Sequence, residues 1–159
     1  MRPEVQFLDT NAMAWERGDM AGLFTKILSK DPATGERTAL QRIDPAHGYK
    51  APTRAHYHSI DEEIFLLKGR FTFDSKQWLG RLAYCYHPAG TVHGFRSAVA
   101  EESWFISRAG RDVEFDFEDN PRQLEPYPLS GVAPERAISV IPDSARLDWT
   151  RPLLHPALA

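Results

Sequence analysis

Proline and glycine interrupt this 159-residue chain at intervals of roughly 8 to 15 residues, and that punctuation leaves no room for a helix of four turns. The stretches between the breaks are short and rich in β-branched and aromatic side chains, so the sequence predicts an all-β protein. Residues 22–29 read as a strand, Asp31-Pro32-Ala33-Thr34-Gly35 as a turn and 36–43 as the returning strand of a hairpin. Further strands are expected at 54–58, 62–67, 70–74, 82–87, 94–97, 103–107 and 112–117. From residue 118 the texture changes, because seven of the 12 prolines fall in the last 42 residues. Within that stretch Ile138-Ser139-Val140-Ile141 could add an edge strand, with Leu147 and Trp149 beside it. One domain is expected over 1–159: a barrel over about 22–117 and a proline-rich extension over 118–159 that packs on the barrel or on a partner.

Composition removes several classes of function. The 19 basic and 22 acidic side chains are interspersed and give a net charge of -3, which offers neither a stripe for nucleic acid nor a basic membrane patch. No apolar run approaches the roughly 20 residues needed to span a bilayer. The first ten residues lack the apolar centre of an export signal, and Cys85 is the single cysteine, so a soluble, cytoplasmic protein is expected. Cys85 itself reads as a small core residue.

Four of the six histidines lie between positions 56 and 93. Residues two apart on a strand share a face, so His56 and His58 would project together while Tyr57 turns away. Glu62-Glu63 opens the next strand and could bring a carboxylate beside them; parity lets one of the pair point inward and leaves both open as candidates. The turn Pro88-Ala89-Gly90-Thr91-Val92-His93 delivers a third imidazole. Three imidazoles and a carboxylate suit a divalent transition metal such as Fe, Mn, Ni or Zn. His87 reads as a strand-end residue that could serve as a further ligand or proton shuttle, and His47 and His155 as loop and tail residues. Arg54 shares parity with His56 and His58, so its guanidinium is expected to face the cavity and bind substrate, or else to form a salt bridge at the rim. Phe71, Phe73, Trp78, Tyr84, Tyr86, Phe95 and Trp104 are expected mostly in the core, with some of them lining an apolar pocket.

Gly48, His56-Tyr57-His58, Glu62 and Gly69, in that order, resemble the first motif of the cupin superfamily, and Pro88 to His93 resembles the PxGxxH heart of its second. The resemblance spans about residues 22–117. It implies a jelly-roll barrel of two antiparallel sheets with one metal held inside by His56, His58, Glu62 and His93, and it prefers Glu62 to Glu63. The chain departs from the pattern at three places, none of them a ligand. Gly48 lies further ahead of His56 than usual, Gly80 falls two residues before Leu82 where the second motif would place a glycine, and the usual asparagine after the late histidine is replaced around Ser97.

The wider pattern from Asp31 to Gly69 is similar to single-domain cupins of the acetylacetone and dihydroxyacetophenone dioxygenase kind. That implies an Fe(II) enzyme that uses O2 to cleave a carbon–carbon bond in a β-diketone or hydroxylated aromatic ketone. Two other readings stand beside it: a zinc-holding regulatory module similar to the cupin part of ChrR-type anti-sigma factors, and an isomerase or lyase that needs no O2. An exposed barrel edge and the 138–141 segment imply a homodimer or larger homo-oligomer.

Overall fold

The computed structural model describes residues 1–5, 7–94, 96–110 and 115–117. Among them the chain forms β1 (Glu16–Arg17), β2 (Leu23–Lys30), β3 (Arg37–Ile43), a 3-10 turn at Pro45–His47, β4 (His56–Tyr57), β5 (Glu62–Lys68), β6 (Phe71–Thr72), β7 (Trp78–Leu79), β8 (Tyr84–His87), β9 (Ala98–Val99), β10 (Ser103–Ala109) and β11 (Asp116–Phe117). The fold is all-β, with every pairing antiparallel. A six-stranded sheet runs β1-β2-β3-β10-β5-β8, beside a three-stranded sheet β7-β6-β9 and a two-stranded pair β11-β4. No helix among the described residues is long and apolar enough to cross a membrane.

The long strands β2, β3, β5 and β10 lie where the sequence puts them, between the proline and glycine breaks, and the alternation of buried and less buried side chains is clearest in β10 and the middle of β5. In β10, Ser103, Phe105, Ser107 and Ala109 are buried while the residues between them are not. The hairpin of β2 and β3 closes as expected: Asp31 N donates to Glu36 O, Gly35 N donates to Asp31 O, both at 2.8 Å, and Asp31 Oδ1 caps Ala33 N. The short strands differ from expectation. The 94–97 strand is displaced to β9, the 54–58 strand shrinks to His56–Tyr57, and β1 and β7 are additions. The expected edge strand at 138–141 lies outside the described residues.

The core sits between the sheets. Ile43, Ile64, Leu66 and Phe105 of the large sheet pack against Phe71 of the small one, with Leu79 and Val99 beside them. The outer face of the large sheet is crossed by the N-terminal segment. Lys26 Nζ donates to Thr10 O at 2.7 Å, Trp15 meets Trp104 edge-on at 5.2 Å, and Arg2 pairs with Glu36 at 2.9 Å.

Candidate metal centre

The backbone brings the two histidine segments together before any side chain is considered. His56 N donates to His93 O at 2.9 Å and His93 N returns the bond to His56 O at 2.8 Å, so residues from opposite ends of the motif sit face to face. Gly90 N donates to His58 O at 2.8 Å, and Asp61 Oδ1 accepts Ala89 N at 2.9 Å, which fastens the Pro88–His93 turn onto the same segment. Gly94 completes the arrangement. It has φ +76, and a Cβ there would run into the His56 ring, with Nδ1 at 2.7 Å; only glycine lets the chain pass so close behind the imidazole.

His56, His58 and His93 are all buried, and each offers a ring nitrogen within 4.8 Å of the others. His56 Nδ1 donates to Arg54 O at 3.1 Å and His93 Nδ1 to Thr91 O at 2.9 Å. Those bonds fix the tautomer and leave the Nε2 lone pair of each facing the centre, the usual support for a metal-bound imidazole. Burial holds the His56 ring below the ordinary histidine range, and burial with the adjacent His87 takes His93 down to about 3. Both are therefore neutral near pH 7, the state a ligand needs. These three imidazoles form a site able to hold a metal ion.

Register settles where the two glutamates point. Glu62 faces His87 across the β5–β8 pair, and its Oε2 lies 3.8 Å from His58 Nε2 and 3.9 Å from His93 Nε2. Glu63 turns to the outer face, where Arg108 Nη1 meets it at 3.1 Å. Burial alone would raise the Glu62 carboxyl, but a hydrogen bond from His87 and the other histidines hold it below its ordinary value. It is anionic near neutrality and faces the three imidazoles.

His87 is the residue whose role the sequence least specifies. Its ring stacks on His93 at 4.0 Å, its Nδ1 donates to Glu62 Oε2 at 3.4 Å, and its Nε2 lies 3.2 Å from Cys85 Sγ. Burial would lower it, yet Cys85 and Glu62 together raise it to about 9. Glu62, His87 and His93 also converge closely enough to offer ligand atoms to one ion. Cys85 is half-buried and packs against the edge of the core.

Arg54 lies elsewhere. The strand begins only at His56, so parity does not extend back to Arg54; its side chain is exposed, with the guanidinium 4.6 Å over the ring of Phe117. Its backbone carbonyl, rather than its charge, touches the centre. Residues the sequence did not single out take the neighbouring positions. Phe115 rests 4.8 Å from His56 and 5.1 Å from His58, while Phe73, one of the aromatics expected in the core or lining a pocket, rests 5.3 Å from His93. Tyr49 lines the cavity, and burial, with Glu62 adding, pushes its hydroxyl up to about 12. Its ring followed Gly48 in the sequence, but its spacing marks no motif.

His56, His58, His93 and Glu62 line a cavity of about 460 Å³ that continues over the inner face of the large sheet past Ile64, Phe105 and Ile43. Residues 3–111 match a family model described as the ChrR cupin-like domain. No curated protein matches the chain. Among solved structures, an RmlC-like cupin from Ralstonia eutropha JMP134 superposes with a TM-score of 0.56 at 17% identity, over 77% of this chain and 79% of that one. An acetylacetone dioxygenase from Acinetobacter johnsonii superposes with 0.53 at 19% identity, over 77% and 83%. At such identities the likeness shows a shared fold.

Proposed function

We propose, for a chain that belongs to the ChrR cupin-like domain family, that the centre is the active site of an Fe(II)-dependent dioxygenase cleaving a carbon–carbon bond in a β-diketone or hydroxylated aromatic ketone. The ligand set in this reading is His56, His58, Glu62 and His93. What supports it is the conjunction of buried imidazoles with a 460 Å³ cavity opening onto them, since a metal that merely ties a barrel together needs no such space. The match to acetylacetone dioxygenase at the level of fold agrees with the reaction class.

A divalent ion held there would supply Lewis acidity toward an enolised ketone and, as Fe(II), electrons for O2. The chain's own residues set the conditions for that. His56 and His93 stay neutral and aimed inward, and Glu62 contributes one negative charge. Phe115 and Phe73 shield the imidazoles from water. Tyr49 keeps its proton and offers a neutral hydroxyl to the cavity.

The family match favours one other reading, a zinc-holding regulatory module similar to the cupin part of ChrR-type anti-sigma factors. An oxygen electrode separates the two. Protein loaded with Fe(II) is offered β-diketones, hydroxyacetophenones, flavonols and small keto acids, with zinc-loaded protein as control. Substrate-dependent O2 uptake by the iron form alone is the expected result. Substrate loss without O2 uptake would move the assignment to an isomerase or lyase, and inertness toward the whole panel would move it to the regulatory module.

We further propose a homodimer. β8 is an outer strand of the large sheet, and Phe65, Tyr84 and Tyr86 point outward there at 37%, 59% and 47% exposure. Such a patch beside a strand edge suits a second copy of the same surface.

A further inference from the structure

Neutral polar side chains cross the inner face of the large sheet in a diagonal line that starts at the metal centre. Ser107 of β10 stands directly opposite Ile64 of β5 and Ala39 of β3, so Glu62 is its diagonal neighbour, about 7–8 Å away between Cα atoms. Gln41 of β3 is the diagonal neighbour of Ser107 on its other side, and Thr25 of β2 stands directly opposite Gln41. All four line the cavity. Ala39 and Ala109, both buried, lie beside Ser107 and keep the floor low there.

Ser107 is buried and Gln41 half-buried, yet among the described residues neither side chain has a hydrogen-bond partner. Neither polar end is sealed inside the protein, so both open into the cavity. Apart from Glu62, the charges of the lining are placed otherwise. Lys30 and Arg37 have interactions of their own, while Glu16, Arg17 and Asp19 are exposed on and just after β1. A hydroxyl group suits the remaining pair, because Ser107 and Gln41 can each donate and accept and a hydroxyl does both with one atom. Ile64 and Phe105, across and along the sheet from Ser107, supply an apolar surface between that pair and the centre.

We propose that Ser107 and Gln41 form a subsite for a neutral hydroxyl group on the end of the substrate remote from the metal, so that the substrate is a chelating ketone extended by an apolar frame that ends in a hydroxyl. An analogue without that hydroxyl leaves both side chains unmet in the filled cavity, which is what discriminates against it. This rests on the reading of the centre as one that chelates an enolised ketone.

The test uses full-length zinc-loaded protein and two probes that differ by one hydroxyl, 1-phenylbutane-1,3-dione and 1-(4-hydroxyphenyl)butane-1,3-dione. Calorimetry at about pH 6.5, where the phenol keeps its proton, should give the hydroxylated probe about 10- to 100-fold tighter binding. Ser107→Ala and Gln41→Leu should each lower the ratio of the two affinities, and the double variant should bring it close to one. Equal affinities in the wild type, or a ratio that survives the double variant in protein of unchanged metal content, would overturn the assignment. If neither probe binds, the chelation reading fails, and a second arm still decides on the subsite. 4-Methylphenol and toluene are titrated into metal-free, 15N-labelled protein while the side-chain amide signals of Gln41, identified by their loss in Gln41→Leu, are followed. A shift with the phenol that toluene does not produce supports the subsite, and no shift, or the same shift with both, rejects it.

Discussion

A methyl group at Gly94 would be driven into the His56 ring on a backbone that already has φ +76, so Gly94→Ala is expected to cost about 2–3 kcal/mol and to lower metal affinity at least tenfold. Metal content beside circular dichroism checks this. His56→Ala, His58→Ala and His93→Ala should each abolish stoichiometric metal while the barrel still folds, and full occupancy in two of the three would sink the proposed ligand set. Glu62→Gln should weaken binding far more than Glu63→Gln, whose carboxylate faces Arg108 outside. Without metal, pH reads the same residues. His93 sits near 3 when folded against 6.5 unfolded, so the unfolded chain binds the extra proton and stability falls as pH drops from 6.5 toward 3. His87 sits near 9, so its contribution is full below 6.5 and is lost as pH rises toward 9. Urea unfolding in chelator should therefore be most stable near pH 6.5, with losses on the order of a few kcal/mol on each side; a steady rise from pH 4.5 to 8.5 would contradict the His87 assignment. The HxH pair and PxGxxH were legible because period-two parity and a turn motif are local. Parity could not choose between Glu62 and Glu63, which needed the β5–β8 register.

At the level of elements, two turn positions take opposite substitutions. Gly69, at φ +87 after β5, would place a Cβ 2.5 Å from Glu102 O and against the hydroxyl of the fully buried Ser103, which accepts Arg70 N. Gly69→Ala should cost about 2 kcal/mol or more, visible as a lower urea midpoint at unchanged slope. Leu82 precedes β8 at φ 66, the left-handed conformation that the second motif usually assigns to glycine. Leu82→Gly should lie within about 1 kcal/mol of wild type, because relief of backbone strain offsets the lost burial of a half-buried leucine. Leu82→Ile, β-branched in the same conformation, should be clearly less stable. Strands β2, β3, β5 and β10 were readable because each is a run of seven or eight residues bounded by turn residues, with a clear alternation of its own in β10. β1 and β7 were not, since two-residue strands are defined by their partners. Trp78–Leu79 pairs with β6 because the turn before it is laced by Thr72 and Asp74, with Asp74 Oδ1 accepting Lys76 N and Gln77 N at 2.8 Å.

For the whole molecule, light scattering at micromolar concentration is expected to return about twice 18.1 kDa. The pair Tyr84→Arg with Tyr86→Asp should return the monomer mass, and a monomeric wild type would remove the proposed dimer. Strand order has a consequence of another kind. β10 lies between β3 and β5 in the sheet yet follows both in the chain. During synthesis at about 5–20 residues per second, the 60 positions from Ile43 to Ser103 take roughly 3–12 s to appear. Throughout that interval the inner edge of β3 lies open on the nascent chain, joined by that of β5 once Lys68 has been made, and every histidine of the centre is made before β10 arrives to close the gap. Vulnerability to mispairing therefore belongs to the ribosome-bound chain, and slowing translation after codon 43 should raise the aggregated fraction even though the finished protein is unchanged.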